Sequence, residues 1–353
     1  MQKYHKIIVT GGAGFIGGTI IRKLLKEFNS TIYNIDKISY SSDLSSILSI
    51  PSSQKRHHHL KIDLKESSLL DTSIEEIKPD IIIHCAAESH VDRSIQNPFQ
   101  FIESNIIGTF NLLESARKYW NKINSKKRNI FRFHHISTDE VFGSLEDNKF
   151  FDEFSNYSPR SPYSASKASS DHLVSSWNNT FGLPTLITNC SNNFGPYQFP
   201  EKLIPITILK AINREEIPIY GDGSNIRDWI FVDDHVNAIF KVISSSDVGE
   251  RYCIGGNCQI TNLDLVNNIC SIIDKYNPKP YMHKELITFV SDRAGHDKRY
   301  AIDNKYIKKK INWEPKHNFK QALENTVKWY LENLDWCKSV MKKSGYNGER
   351  LGL

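Results

Sequence analysis

The run GGAGFIGG at residues 11–18 leaves few folds open to this chain. It follows a short apolar segment, KIIVT at 6–10, and precedes helical spacing of apolar residues through Ile20, Leu24 and Phe28. Gly12, Gly14 and Gly17 fit the spacing G-x-G-x-x-G, with Gly11 just before it. Glycines at this spacing permit a tight turn, close approach of backbone to a pyrophosphate, and close packing of helix on strand. The helix N-terminus then offers unpaired N–H groups to the phosphates. A second β-rich run, TIYNID at 31–36, ends in Asp36. A carboxylate there would hydrogen-bond the adenosine ribose and repel a 2′-phosphate, which predicts NAD in preference to NADP. Lys37 follows directly and works against that preference. A glycine-rich turn without a ligand shares the local pattern; the strand before, the helix after and the acid ending the second strand together favour the dinucleotide.

The rest of the first half keeps the same rhythm. Short β-rich runs lie at 59–63 and 80–87, a fifth strand enters ISTDE (136–140), and a sixth spans 184–192. Helical patterns at 67–77, 98–120 and 161–182 separate them. Alternating strands and helices imply a parallel sheet covered on both faces. Residues 1–193 therefore read as a Rossmann-type, doubly wound α/β domain. After Asn193 the pattern changes to a loop rich in proline and aromatics (194–202), a helix at 203–212, and short strands around 217–221 and 226–234. Further helices are expected at 262–276 and 319–334. Residues 194–353 read as a smaller mixed α/β domain for substrate, with segments near 234–260 returning to the first.

Composition excludes several classes. A net charge of +5 over 353 residues, with basic residues in scattered clusters, gives no nucleic-acid footprint, though it favours an anionic substrate. No run approaches the roughly 18 apolar residues of a membrane span, and the N-terminus lacks a signal-peptide pattern. The six cysteines form no C-x-x-C pair and read as free thiols of a reducing compartment, which points to the cytoplasm. RHHHL (56–60) does not read as a metal site, because consecutive histidines on a strand face opposite sides; a solvated strand entry is the simpler account, and no metal is expected.

Tyr163 and Lys167 stand four apart in YSASK, which places them on one helix face. A cation beside a phenol favours the phenolate, suiting a tyrosine that acts as base on a hydroxyl. Upstream, the strand run ends in Ser137-Thr138 and two adjacent acids, Asp139 and Glu140. Neighbouring carboxylates resist double ionisation, so one proton is shared by the pair. A surface Tyr–Lys pair and a solvated Asp-Glu turn remain the alternatives on spacing alone.

The glycine loop and YxxxK together resemble the extended short-chain dehydrogenase/reductase superfamily. AAESHVDRS (86–94), STDEVFG (137–143), SPYSASKASSDHL (161–173), NCSNNFGPYQFPEKLIP (189–205), IYGDGSNIRDWIFVDDH (219–235) and DRAGHDKRYAID (292–303) occur in order. Over nearly the whole chain they resemble the dTDP-glucose 4,6-dehydratase family. That resemblance implies a hydro-lyase: NAD⁺ takes hydride from carbon 4, water leaves across carbons 5 and 6, and the hydride returns to carbon 6. It implies that Tyr163 is the base for oxidation, Lys167 its tuner, Glu140 the base at carbon 5 and Asp139 the acid at the 6-hydroxyl, with Thr138 bonded to the 4-hydroxyl.

The same resemblance implies cofactor contacts at Gly11, Gly14, Phe15, Ile16, Gly17, Asp36, Asp63, Leu64, Ala86, Ala87, Ser104, Tyr163, Lys167 and Asn193. For the nucleotide-diphosphate-hexose substrate it implies Ser89, Thr138, Asn192, Lys202, Leu203, Tyr220, Arg227, Asn262 and His296, with Arg227 as the diphosphate clamp. It also implies a homodimer through the helices at 98–120 and 161–182. Phe142 and Phe194 stand where that family often has tyrosine, and Ser104 where it often has threonine. Alternatives are the same reaction on UDP-glucose, a sugar-nucleotide epimerase or decarboxylase, and a non-catalytic NAD-binding protein. Asp139-Glu140 weighs against the last three, since none needs a second acid–base pair.

Overall fold

The structure, a computed structural model, describes residues 1–146 and 148–349. Its strands, in chain order, are β1 (Lys6–Thr10), β2 (Thr31–Ile35), β3 (His57–Leu60), β4 (Ile81–His84), β5 (Arg132–Thr138), β6 (Thr185–Cys190), β7 (Asn192–Phe194), β8 (Ile217–Tyr220), β9 (Ile226–Phe231), β10 (Arg251–Ile254), β11 (Gln259–Thr261) and β12 (Ile287–Val290). Seven of them form one sheet in the order β10-β6-β5-β4-β1-β2-β3, with every neighbouring pair parallel. Strand direction explains the near-continuous apolar runs. Ile7, Val9, Ile81 and Ile83 point to one face and pack with Ile20, Ile21 and Leu24 of the helix Phe15–Glu27. Ile8 and Ile82 point to the other, against Leu70, Ile74, Leu112 and Leu113. A strand covered on both sides has no polar face, which is why period-two alternation is missing from the sequence. Each such fully buried side chain contributes about 1.5–3 kcal/mol relative to exposure.

Later residues complete this sheet. β10 pairs with β6, and the helix Val232–Ser245 lays Val236, Ile239 and Ile243 into the core that holds Ile7 and Ile20. The remainder builds a three-stranded sheet β11-β9-β7 and a parallel pair β12-β8. Helices Leu203–Ile212, Asn262–Tyr276 and Phe319–Glu332 cover them through Ile208, Leu265, Ile269, Leu323 and Val327. A last helix, Leu334–Ser344, carries Trp336, whose Nε1 donates to Asp43 Oδ2 at 3.0 Å. Residues 350–353, part of the C-terminal tail, lie outside the described residues. Among the described residues, no helix is long and apolar enough to cross a membrane.

Three segments differ from expectation. The third strand is not 59–63 but His57–Leu60, so the histidines are the strand rather than its entry. Hydrogen bonding to β2 overrides their weak strand preference; His57 is buried, and His58 stacks on Tyr33 with ring centroids 5.1 Å apart. The helix expected at 98–120 is interrupted by a π-turn, Ile102–Ile107, between Pro98–Phe101 and Gly108–Lys122. There the Asn105 carbonyl accepts Thr109 Oγ1 at 2.5 Å and Ser170 Oγ at 2.7 Å, and hydroxyls entering the ladder in this way open it. Finally, the strand expected to run through 226–234 stops at Phe231, and Asp233 and Asp234 open a helix, where acids favour the positive end of the dipole.

Candidate active site

The loop after β1 fits a pyrophosphate because it has no room for side chains. Gly11 has φ +68°, and a Cβ there would lie 2.6 Å from Ala86 Cα. A Cβ on Gly17 would lie 2.3 Å from the Gly11 carbonyl oxygen. Asp36, at the end of β2, accepts Ala13 N–H at 2.9 Å and Ile38 N–H at 2.8 Å, which locks both loops that border the ribose position. Lys37 does not present a free cation to a 2′-phosphate. Its Nζ lies 3.1 Å from buried Glu88 Oε1 and donates to Ser104 Oγ at 3.1 Å. This Cβ-free cradle beside an acidic strand end is the donor set a dinucleotide needs, and NAD fits it better than NADP.

One cavity runs from this loop across the carboxyl ends of β4, β5 and β6. Gly11, Gly14, Phe15, Ile16, Gly17, Asp36, Asp63, Leu64, Ala86, Ala87, Ser104 and Asn193 line it, together with Ser89, Thr138, Asp139, Glu140, Tyr163, Lys167, Asn192 and Lys202. The fold thus gathers every residue assigned to the cofactor and to catalysis. It does so where ligands bind in open parallel sheets, outside the carboxyl ends of the strands.

Tyr163 is placed by a helix start written into the sequence. Ser161 caps Pro162–Phe181, with its Oγ accepting Ser164 N–H at 3.0 Å, and the Ser164 hydroxyl accepts the Ser161 N–H at 3.0 Å in return. Pro162 occupies the first turn, where its missing N–H costs nothing. One turn on, Lys167 Nζ donates to the Ile136 carbonyl at 2.8 Å. The expected lowering of the Tyr163 phenol is not what the protein alone shows. Burial and the nearby Glu140 carboxylate push the phenol upward, and only a hydrogen bond with Thr138 opposes them appreciably. Desolvation outweighs the four-residue spacing, because Lys167 turns its ammonium toward the β5 carbonyl.

Asp139 and Glu140 sit in a short 3₁₀ turn, Asp139–Phe142, capped by Thr138, whose Oγ1 accepts Glu140 N–H and donates to Asp139 Oδ1, both at 3.3 Å. Their surroundings differ. Burial raises Asp139 well above the carboxylate range, and Glu140 and Asp228 add to the rise. Its Oδ2 is buried without a hydrogen-bond partner among the described residues. Burial also raises Glu140, but Arg293, Arg227 and Lys202 pull it back toward ionisation. The pair is therefore polarised, with the proton favoured on Asp139 and the charge on Glu140.

The remaining residues expected to bind substrate are not among those lining this cavity; they stand after Asn193 in the chain. Arg227, on β9, donates to the carbonyls of Ile226 (2.8 Å) and Asp297 (2.9 Å) and stacks over Tyr300 at 4.4 Å. Tyr220 donates to Asp92 Oδ2 at 3.0 Å, and His296 Nδ1 lies 2.6 Å from Asp292 Oδ1. Asn262 opens the helix Asn262–Tyr276 with its Oδ1 buried and unpartnered, and Leu203 begins the helix after Lys202. Lys202 Nζ reaches the Ser89 carbonyl at 2.9 Å, tying the halves together. Arg293 escaped the sequence reading. It pairs with Asp92 at 3.3 Å, keeps a buried, unpartnered Nε, and is the first of the cations acting on Glu140. Its position inside DRAGHDKRYAID, three residues before His296, was the available signal.

Known proteins resemble this chain in sequence and fold. The model of the GDP-mannose 4,6-dehydratase family matches residues 8–326. The dTDP-glucose 4,6-dehydratase of Salmonella typhimurium is 49% identical over 349 residues, covering 96% of both chains. That of Neisseria meningitidis serogroup B is 48% identical over 353 residues and covers 99% of both. Among solved structures, dTDP-glucose 4,6-dehydratase from Bacillus anthracis in complex with NAD superposes with TM-score 0.84 at 38% identity, covering 95% of this chain and 99% of that one. The Streptomyces venezuelae enzyme with NAD and TYD bound gives TM-score 0.86 at 36% identity, with the same coverage. On this likeness of sequence and fold, the chain belongs to the GDP-mannose 4,6-dehydratase family and, within it, to the dTDP-glucose 4,6-dehydratases of the extended short-chain dehydrogenase/reductase superfamily.

Proposed function

We propose that the chain converts dTDP-glucose to dTDP-4-keto-6-deoxyglucose with NAD retained through the cycle. The observation that carries this reading is the polarised Asp139–Glu140 pair in the same cavity as Tyr163, Lys167 and the dinucleotide loop. Oxidation alone needs one base. Elimination needs a base and an acid together, and two differently surrounded carboxyls supply them. The chemistry supplied by NAD when bound is reversible hydride storage, with removal from carbon 4 and return at carbon 6.

Tyr163 takes the 4-hydroxyl proton, with Thr138 orienting that hydroxyl. Glu140 removes the proton on carbon 5, which the 4-ketone has made acidic, and gives it back to carbon 5 once hydride has returned to carbon 6. Asp139 donates its proton to the departing 6-hydroxyl, which leaves as water. Arg227, Arg293 and Lys202 form the cationic side of the substrate site and suit a diphosphate. Asp36 and the Lys37–Glu88 contact support NAD as the cofactor.

We also infer a division into a cofactor half, residues 1–193 with the segments that complete its sheet, and a substrate half built mainly from 194 onward. A homodimer through the helices around 98–122 and 162–181 is supported by Phe99, Ile102, Ile107 and Phe181, all exposed on those segments. Incubation with dTDP-glucose should yield the alkali-induced absorbance of a 4-keto sugar with no net reduced NAD. Faster turnover of UDP-glucose would reassign the nucleotide, and no product from either substrate would refute the reading.

A further inference from the structure

We propose that Asp171 is a positioning residue that keeps Lys167 in its ammonium form beside Tyr163 and, through Asn189, fixes the strand end carrying Thr138, Asp139 and Glu140. The inference rests on the dehydratase reading above.

Asp171 is fully buried and follows Lys167 by one helical turn. Its Oδ2 accepts the Tyr157 hydroxyl at 2.6 Å and Asn189 Nδ2 at 3.0 Å. The same Asn189 amide donates to the Thr138 carbonyl at 3.1 Å, one residue before the acid pair. Oδ1 receives no well-aligned hydrogen bond. Its neighbour is His135 Nε2, 3.2 Å away, and that nitrogen lies 3.4 Å from Lys167 Nζ. A buried carboxylate is costly without such partners, and Asp171 keeps its charge through the hydroxyl and amide on Oδ2 and the imidazole beside Oδ1.

The groups facing Lys167 come from every packed element: His84 and Cys85 at the end of β4, His135 on β5, Cys190 on β6, and Tyr163 and Asp171 on its own helix. Burial pushes His135 down to about 4 and His84 well below its ordinary value, so both are neutral. Burial pushes Cys190 up to about 12 and Cys85 upward as well, and Tyr163 is also raised. Around Asp171 stand Tyr157, Asn189 and His135, with the Arg251 guanidinium over the Tyr157 ring at 4.8 Å. Among these groups Asp171 is the charge that opposes the burial of Lys167: burial drives that ammonium toward the amine, and Asp171 is the first group to resist. Asp171 itself is raised by burial, but His135, Lys167 and Tyr157 bring it below the usual carboxylate range. A neutral Lys167 would remove the buried cation that stands one helical turn from Tyr163 in the same cavity.

The test is the pH profile of kcat on dTDP-glucose for the wild type, Asp171→Asn and Asp171→Glu. Removing the negative charge weakens the hold of Lys167 on its proton. In Asp171→Asn, kcat near neutral pH should fall on the order of tenfold or more, and the alkaline limb should move down by about one pH unit or more. Asp171→Glu should return the limb to the wild-type position. A slower enzyme whose limb has not moved overturns the proposal. Should Asp171→Asn not fold, or should the wild type not turn over dTDP-glucose, NMR of side-chain-labelled lysine in the wild-type protein decides, with Lys167 assigned from Lys167→Met. An ammonium signal persisting to about pH 9 supports the proposal, and an amine already at about pH 7 overturns it.

Discussion

Lys37 Nζ lies 3.1 Å from Glu88 Oε1, and this contact joins the carboxyl end of β2 to the loop after β4. It also occupies the cation that follows Asp36 in the chain. Glu88→Gln should free Lys37 for a 2′-phosphate. A charge-assisted contact of about 1–2 kcal/mol would move the NADP-to-NAD affinity ratio up on the order of tenfold, while Asp36 keeps NAD the better ligand. Calorimetric titration of the cofactor-free protein with each dinucleotide measures the ratio; an unchanged ratio would show that Asp36 alone sets the preference.

Glu140→Gln removes the proposed base at carbon 5 without removing Tyr163 or Lys167. Turnover should drop by roughly 10²–10⁴-fold, the usual contribution of a positioned general base. Oxidation at carbon 4 should persist, so mixing enzyme and dTDP-glucose should show reduced nicotinamide accumulating in the near ultraviolet. Wild-type turnover in this variant would remove Glu140 from the mechanism.

Glu153 gives a stability prediction. Its Oε1 accepts Cys253 N–H at 2.7 Å at the edge strand β10. Burial raises the carboxyl from 4.5 to about 7. A folded-state value above the unfolded one means the folded chain binds the proton more tightly. The corresponding stability is fully present below about pH 4.5 and is lost as pH rises through about 7. Glu153→Gln keeps an oxygen for Cys253 and cannot ionise. Urea unfolding midpoints of the two proteins should therefore diverge across that window, with the variant gaining as pH rises, and run parallel above it. A difference that stays constant with pH would contradict the assignment.

Gly11→Ala and Gly345→Ala separate crowding from backbone strain. Both glycines have positive φ, +68° and +70°, but only Gly11 has backbone where a Cβ would go, while no atom of the described residues lies within 4 Å at Gly345. Gly345→Ala should cost about 1 kcal/mol, the left-handed penalty alone. Gly11→Ala should cost a further 1–3 kcal/mol or so from overpacking and should lose NAD on gel filtration. Equal shifts in Tm would mean the Ala86 contact relaxes freely.

The sheet and the cofactor loop were legible because their signals are local. The glycine spacing, the Ser161–Pro162 helix start and the runs at 67–77, 203–212 and 262–276 each carry their own code, and the last three helices have the expected limits. What was not legible depends on partners distant in sequence. His57–Leu60 is a strand only because β2 lies beside it. The π-turn at 102–107 needs Ser170, which arrives from another helix. The adjacency of Asp139 and Glu140 suggested a shared proton, but which acid holds it follows from Asp228 on one side and three cations on the other, all more than 60 residues from the pair in sequence. Arg293 and Asp171 were visible only as members of quoted motifs, since their roles are set by what they touch.

β10 and the helix Val232–Ser245 close the first sheet only after the chain has already built the strands around β9. Even the start of the protein is bound to that late segment: the Tyr4 hydroxyl bonds the Ile243 carbonyl at 3.3 Å, and the Met1 amino group reaches Ser244 Oγ at 2.9 Å. During synthesis, then, the first 193 residues must wait with β6 unpaired on its outer edge and the Ile7–Ile20 face uncovered. A cut at residue 193 would therefore leave the first sheet incomplete: the segment 232–254 closes it, while the helices Asn262–Tyr276, Phe319–Glu332 and Leu334–Ser344 are still to come.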